Sequence, residues 1–152
     1  IDAVRNAVGQ PDRLLVSPAL RCRQTAAALW SKPPYHDPAL WEQDFGDWEG
    51  LTAADLPDLG SLSSAELAAH RPPGGESFAD LCIRAHPALK ANLSGGSVAI
   101  IAHAGTVRAA LALALGNVAL ALSFEVAPLS VTRLCALPGG IWSVRAVNWG
   151  PV

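Results

Sequence analysis

Two short stretches set an ionisable side chain where an apolar run gives way to a helix. Ser17-Pro18-Ala19-Leu20-Arg21 follows the run Arg13-Leu14-Leu15-Val16, and His103-Ala104-Gly105-Thr106 ends the run that starts at Ser97. In open α/β sheets, ligands gather where strands end and helices begin. A helix N-terminus offers free N–H groups and partial positive charge, which suit a phosphate. Arg21, on a first helical turn, adds a planar fork able to grip two phosphate oxygens. Taken alone, Arg21 reads first as a surface residue of its helix. His103 is harder to explain by packing, because it ends an apolar strand and small residues follow it. His36, His70 and His86 fall in loops or on helix surfaces and read as non-catalytic.

A third segment, Leu40-Trp41-Glu42-Gln43-Asp44-Phe45-Gly46-Asp47-Trp48-Glu49-Gly50, mixes aromatic rings with four carboxylates. A carboxyl held against tryptophan has its pKa raised, as a general acid needs. The competing reading is a solvated acidic loop. A fourth segment, Arg71-Pro72-Pro73-Gly74-Gly75-Glu76-Ser77, reads locally as a tight turn into a capped helix.

The elements that must hold these residues follow from punctuation and periodicity. Ile1, Val4 and Val8 are spaced as one helical stripe that Gly9 closes. No capping pattern precedes that helix and the chain contains no methionine, so a segment upstream of Ile1 is expected. A buried strand is predicted over 13–17, then a helix from Pro18 to about Ser31, ended by Pro33-Pro34. Residues 35–62 read as loop. Ser63 with Glu66, and Ser77 with Asp80, mark two helix starts, the second helix running toward Asn92 with a kink at Pro87. The strand over 97–103 is the strongest in the chain, followed by a helix over 106–115. Two antiparallel strands flank Pro138-Gly139-Gly140. The order implies an α/β fold with a mixed sheet and helices on its faces. With no repeat or linker, residues 1–152 are expected to be a single domain.

Composition narrows the classes. Half the chain is hydrophobic (51%) and only 16% is charged, a balance typical of a packed globule and not of disorder. A net charge of -2 gives no reason to expect nucleic acid or a membrane surface. Cys22, Cys82 and Cys135 form neither a disulfide framework nor a zinc motif and read as reduced thiols in or near the core, which points to the cytoplasm.

In order and spacing, the four segments together resemble the histidine phosphatase superfamily, the phosphoglycerate-mutase-like proteins. Ser17 to Ala26 is similar to that family's second arginine motif, and Leu40 to Gly50 to its acid-bearing loop. Pro73-Gly74-Gly75-Glu76-Ser77 and Ile101 to Arg108 are similar to its two later signatures. The resemblance implies a three-layer α/β fold with a mixed, mostly parallel sheet and helices on both faces. It implies phosphoryl transfer through a phosphohistidine, with a small phosphomonoester as substrate and no metal or cofactor. By position, Arg21 would hold phosphate and Glu42 would be the general acid, later the base. His103 would be the second, charge-stabilising histidine, also touching phosphate, and Arg108 a supporting arginine. The family's Arg-His-Gly nucleophile motif is absent, since no Arg-His pair occurs in the chain; the central strand that would bear it is expected upstream of Ile1. The form of Asp44 to Gly50 places the chain with the phosphatases and away from the mutases. Within them it looks most like the α-ribazole phosphatases of cobalamin synthesis, or broad-specificity relatives. A non-catalytic phosphate binder is the alternative, and a mutase a more distant one.

Overall fold

The computed structural model describes residues 1–52, 54–92 and 95–150. Helix α1 (Asp2–Val8) leads into strand β1 (Arg13–Val16) and helix α2 (Leu20–Leu29). Strand β2 (Tyr35–His36) is followed by two 3₁₀ turns, Pro38–Leu40 and Gly46–Trp48. Helices α3 (Ser64–Ala69) and α4 (Phe78–Ala91) precede strand β3 (Val98–Ile101). Helices α5 (Ala104–Leu115) and α6 (Val118–Ala121) lead to the ribbon β4 (Val131–Leu137) and β5 (Ile141–Trp149).

β1 is the hinge of the packing because its side chains alternate between two faces. Leu14 and Val16 join Val4, Cys22, Ala26, Leu29 and Trp30 on the α1–α2 side. Leu15 points the other way, into a core built from α4 and α5 with Leu81, Ala85, Ala109 and Leu111. All three β1 residues are at most 3% exposed, and burial of each is worth roughly 1.5–3 kcal/mol. Helices therefore cover both faces of a parallel sheet, as the apolar run of β1 requires.

The sheet order is β2-β1-β3, all parallel. Leu15 pairs with Ile100 and Val16 with Ile101, so both strands end at the same level. The Ser17 N–H carries the ladder one residue further, donating to the Ile101 carbonyl at 2.9 Å. That register delivers the two strand-to-helix junctions side by side.

Several expectations shift in detail. Both capping boxes are present, at Ser63–Glu66 and Ser77–Asp80. α4 continues through Pro87 as one helix to Ala91. β3 stops at Ile101, and His103 is the N-cap of α5 and not the last strand residue; the small Ala104 and Gly105 let the helix start early. The region expected to be loop contains β2 and the two 3₁₀ turns, and α6 was not anticipated. The expected single mixed sheet is two: among the described residues β3 pairs only with β1, and β4 only with β5. β3 is thus an all-apolar edge strand, with Ile100 36% exposed.

Candidate active site

His103 is surrounded by four side chains, Ser17, Arg21, Cys22 and Trp41. It is 6% exposed, and its Nε2 lies 2.8 Å from the hydroxyl of Ser17, which is fully buried. Arg21, at the second position of α2, brings Nη2 to 2.8 Å from Nδ1. A guanidinium can only donate, so Nδ1 is the acceptor and the ring proton sits on Nε2, donated to Ser17. Cys22 packs its sulfur 3.7 Å from Nε2 and 3.6 Å from the Ala102 carbonyl. Trp41 lies parallel to the imidazole, with ring centroids 6.4 Å apart. Burial, followed by the charges of Arg21 and Arg84, lowers the His103 pKa to about 4. That direction favours the neutral ring at neutral pH.

Glu42 faces the same helix start. Its Oε1 accepts from the Gly105 N–H, the second position of α5, at 3.0 Å, and from its neighbour Gln43 at 3.0 Å. The missing side chain of Gly105 leaves room for this approach, since a β-carbon there would overlap Glu42 Oε1 and press on Leu81 unless both side chains shifted. Burial raises the Glu42 pKa, opposed by the Gln43 and Gly105 N–H groups and then by Arg21 and Arg108. The net direction favours the protonated form, which suits a proton donor.

The loop that carries Glu42 is tied down by residues far away in sequence. Thr106, 2% exposed, donates its hydroxyl to the Leu40 and Trp41 carbonyls, both at 3.3 Å. The Gly74-Gly75 turn packs against Gly46 so closely that a side chain on Gly46 would overlap the Pro73 carbonyl. Arg84 of α4 binds the Ala39, Trp41 and Glu42 carbonyls and the Glu76 carboxylate.

Arg21, Glu42 and His103, chosen from sequence, thus converge on the start of α5. Arg108 lies further along α5; its Nε donates to the Phe124 carbonyl at 2.9 Å, anchoring the segment after α6, while its charge still reaches Glu42. Of the remaining histidines, His70 stacks on Trp48, His86 meets the Ala109 carbonyl at 2.9 Å, and His36 is exposed in β2. Sequence reasoning assigned no role to Ser17, Trp41, Gly105, Thr106 or Arg84. The first four lie inside segments already singled out, so their position was a signal. Arg84 had none, being one arginine on an amphipathic helix. Among the described residues no helix is long and apolar enough to cross a membrane.

Comparison with known proteins gives the family and the fold. A bifunctional protein of Mycobacterium tuberculosis is 34% identical over 136 residues, covering 82% of this chain. The chain spans only 36% of the length of that relative. A mycobacterial glucosyl-3-phosphoglycerate phosphatase, solved with inorganic phosphate, superposes with a TM-score of 0.81 at 27% identity, covering 96% of this chain and 82% of that one. The α-ribazole phosphatase of Shigella flexneri shares the fold, with a TM-score of 0.77 at 20% identity over 99% of this chain and 84% of its own. The family model of the histidine phosphatase superfamily (branch 1) matches residues 3–150. The chain belongs to that superfamily.

Proposed function

We propose that this chain supplies the phosphate grip and the proton donor of a phosphomonoesterase that works through a phosphohistidine. The observation that carries the reading is the convergence of Arg21, His103 and Glu42 on the N-terminus of α5. A phosphate there offers Arg21 a better acceptor than an imidazole nitrogen, so the guanidinium transfers to it and frees Nδ1. The arriving dianion raises the His103 pKa, and the charged ring then stabilises the equatorial oxygens. In the first step a histidine nitrogen attacks phosphorus, the ester P–O bond breaks, and Glu42 gives its proton to the leaving alkoxide. In the second, Glu42 takes a proton from water, whose oxygen attacks phosphorus as the P–N bond breaks. The nucleophile is assigned to no residue of this chain, because none of its four histidines follows an arginine.

The substrate class is a small phosphomonoester, and no resident metal enters the scheme. Glucosyl-3-phosphoglycerate and α-ribazole phosphate are the esters to assay first, after the proteins that share the fold; the second would place the chain in cobalamin synthesis. The test is turnover of an alkyl and an aryl phosphate, without added metal, by the protein at its natural length. Glu42→Gln should slow the alkyl ester by about 10²–10⁴ and spare p-nitrophenyl phosphate, whose leaving group needs no proton. Equal loss on both would remove Glu42 as the acid. Absent turnover with retained phosphate binding would favour the non-catalytic binder.

A further inference from the structure

We infer that Arg84 is the positioning residue for Glu42, latching the acid-bearing loop to α4 through a single guanidinium that reads three loop carbonyls and one carboxylate. This rests on Glu42 being the general acid. The geometry is specific. Nη1 donates to the Ala39 carbonyl at 2.9 Å and to Trp41 at 3.2 Å. Nη2 donates to Trp41 and Glu42 carbonyls, each at 3.2 Å, and to Glu76 Oε1 at 2.5 Å. Nε completes the fork on Glu76 Oε2 at 3.3 Å.

Glu76 works on the same stretch from its other side. Its N–H donates to the Asp44 carbonyl at 2.8 Å, and its Oε1 accepts from the Asp44 N–H at 3.1 Å. Its carbonyl accepts the Gln43 side-chain amide at 2.9 Å. Residues 39–44 join no β-ladder, so without this lacing their main chain depends on the Thr106 hydroxyl and the 3₁₀ turn. Glu42 consequently has two tethers. Its carboxylate is bound by the Gly105 N–H, and its carbonyl by Arg84.

An arginine is what this job requires. The acceptors are spread over four residues and meet all three guanidine nitrogens; a lysine ammonium is a compact point donor and cannot span them. The pair is largely withdrawn from water, with side chains 29% and 19% exposed, so its bonds are screened less than a surface ion pair. A purely structural latch would hold the fold and nothing else. A positioning latch also sets where the proton donor stands, and a displacement near 1 Å costs roughly 10²-fold in rate.

The experiment compares Arg84→Gln, Arg84→Lys and Glu76→Gln in the protein at its natural length. The first readout is the Glu42 titration by ¹³C-carboxyl NMR, which needs no turnover. The second is kcat for alkyl and aryl phosphates. Arg84→Gln should return Glu42 toward an ordinary carboxylate pKa and slow alkyl turnover by about 10–10²-fold, changing aryl turnover little. Arg84→Lys should fall between wild type and Arg84→Gln in both readouts, and Glu76→Gln should move both in the same direction by less. Folded variants with wild-type Glu42 titration and equal losses on both esters would overturn the proposal and leave Arg84 structural. If Arg84→Gln does not fold, the same criteria applied to the other two variants decide. A latch visible by NMR in a protein without turnover would sink the phosphatase reading and leave the loop geometry standing.

Discussion

The two halves of the site are built by different means. The half proposed to face phosphate, Ser17, Arg21 and His103, hangs on two strand-to-helix junctions whose strands run in register. Backbone ladders and helix starts place these side chains, and each needs only its own element plus one neighbour. The acid-bearing half, residues 38–50, contains two short 3₁₀ turns and no ladder of its own. It is placed by Arg84, Glu76, Thr106 and the Gly74-Gly75 turn, all drawn from outside the segment. The first half is rigid by secondary structure; the second is rigid only because distant side chains agree on where it lies.

That contrast can be broken at its weakest joint first. Gly46 sits at φ +54, where a β-carbon would overlap the Pro73 carbonyl oxygen and the Gly75 nitrogen. Gly46→Ala should cost about 3 kcal/mol in a denaturant melt, from overpacking and left-handed strain together. A cost below about 1 kcal/mol would mean that the loop is not clamped as described. Arg21→Ala, in the other half, should leave the melt nearly unchanged, because Arg21 is exposed. It should instead weaken phosphate binding by about 1.5–3 kcal/mol, the scale of a hydrogen bond to a charged group. Calorimetric titration with inorganic phosphate would read this, and an unchanged affinity would take Arg21 out of the site.

The sharpest discriminator is pH, because the two halves should respond to it with opposite signs. His103 stays unprotonated in the folded chain to about pH 4, against an ordinary value of 6.5. In that window the unfolded chain binds the extra proton, so this residue's contribution falls as pH drops from 6.5 toward 4. Glu42 is shifted upward from its ordinary 4.5. Above that value the folded chain holds a proton the unfolded one releases, so its contribution falls as pH rises. Urea midpoints across this range for His103→Gln and Glu42→Gln should therefore differ from wild type with opposite slopes. Slopes of one sign for both would show that the two environments are not distinct.

Much of the first half was legible in the chain. Apolar runs ending in Ser17 and near His103, with helix-starting residues after them, carry a local signal, and the two capping boxes are local by nature. The misplacements are small and local too. The apolar run up to His103 implies a strand end, whereas His103 caps a helix, since Ala104 and Gly105 suit either. Residues 35–62 show no periodicity in sequence, because a two-residue strand and two single turns are too short to produce one. For Glu42 the sequence offered a carboxylate among aromatic rings, but not the Gly105 N–H that binds it or the fork that holds its backbone.

By itself, then, the amino-acid sequence determined which residues could do chemistry and which elements would present Arg21 and His103, since helix starts and buried strands are encoded over a few neighbouring positions. The tertiary structure alone decided that Glu42 faces them, that its pKa rises through burial, and that Arg84 fixes its loop. Those properties depend on partners more than thirty residues away in the chain, and no local pattern records which distant donor will meet an otherwise unpaired carbonyl.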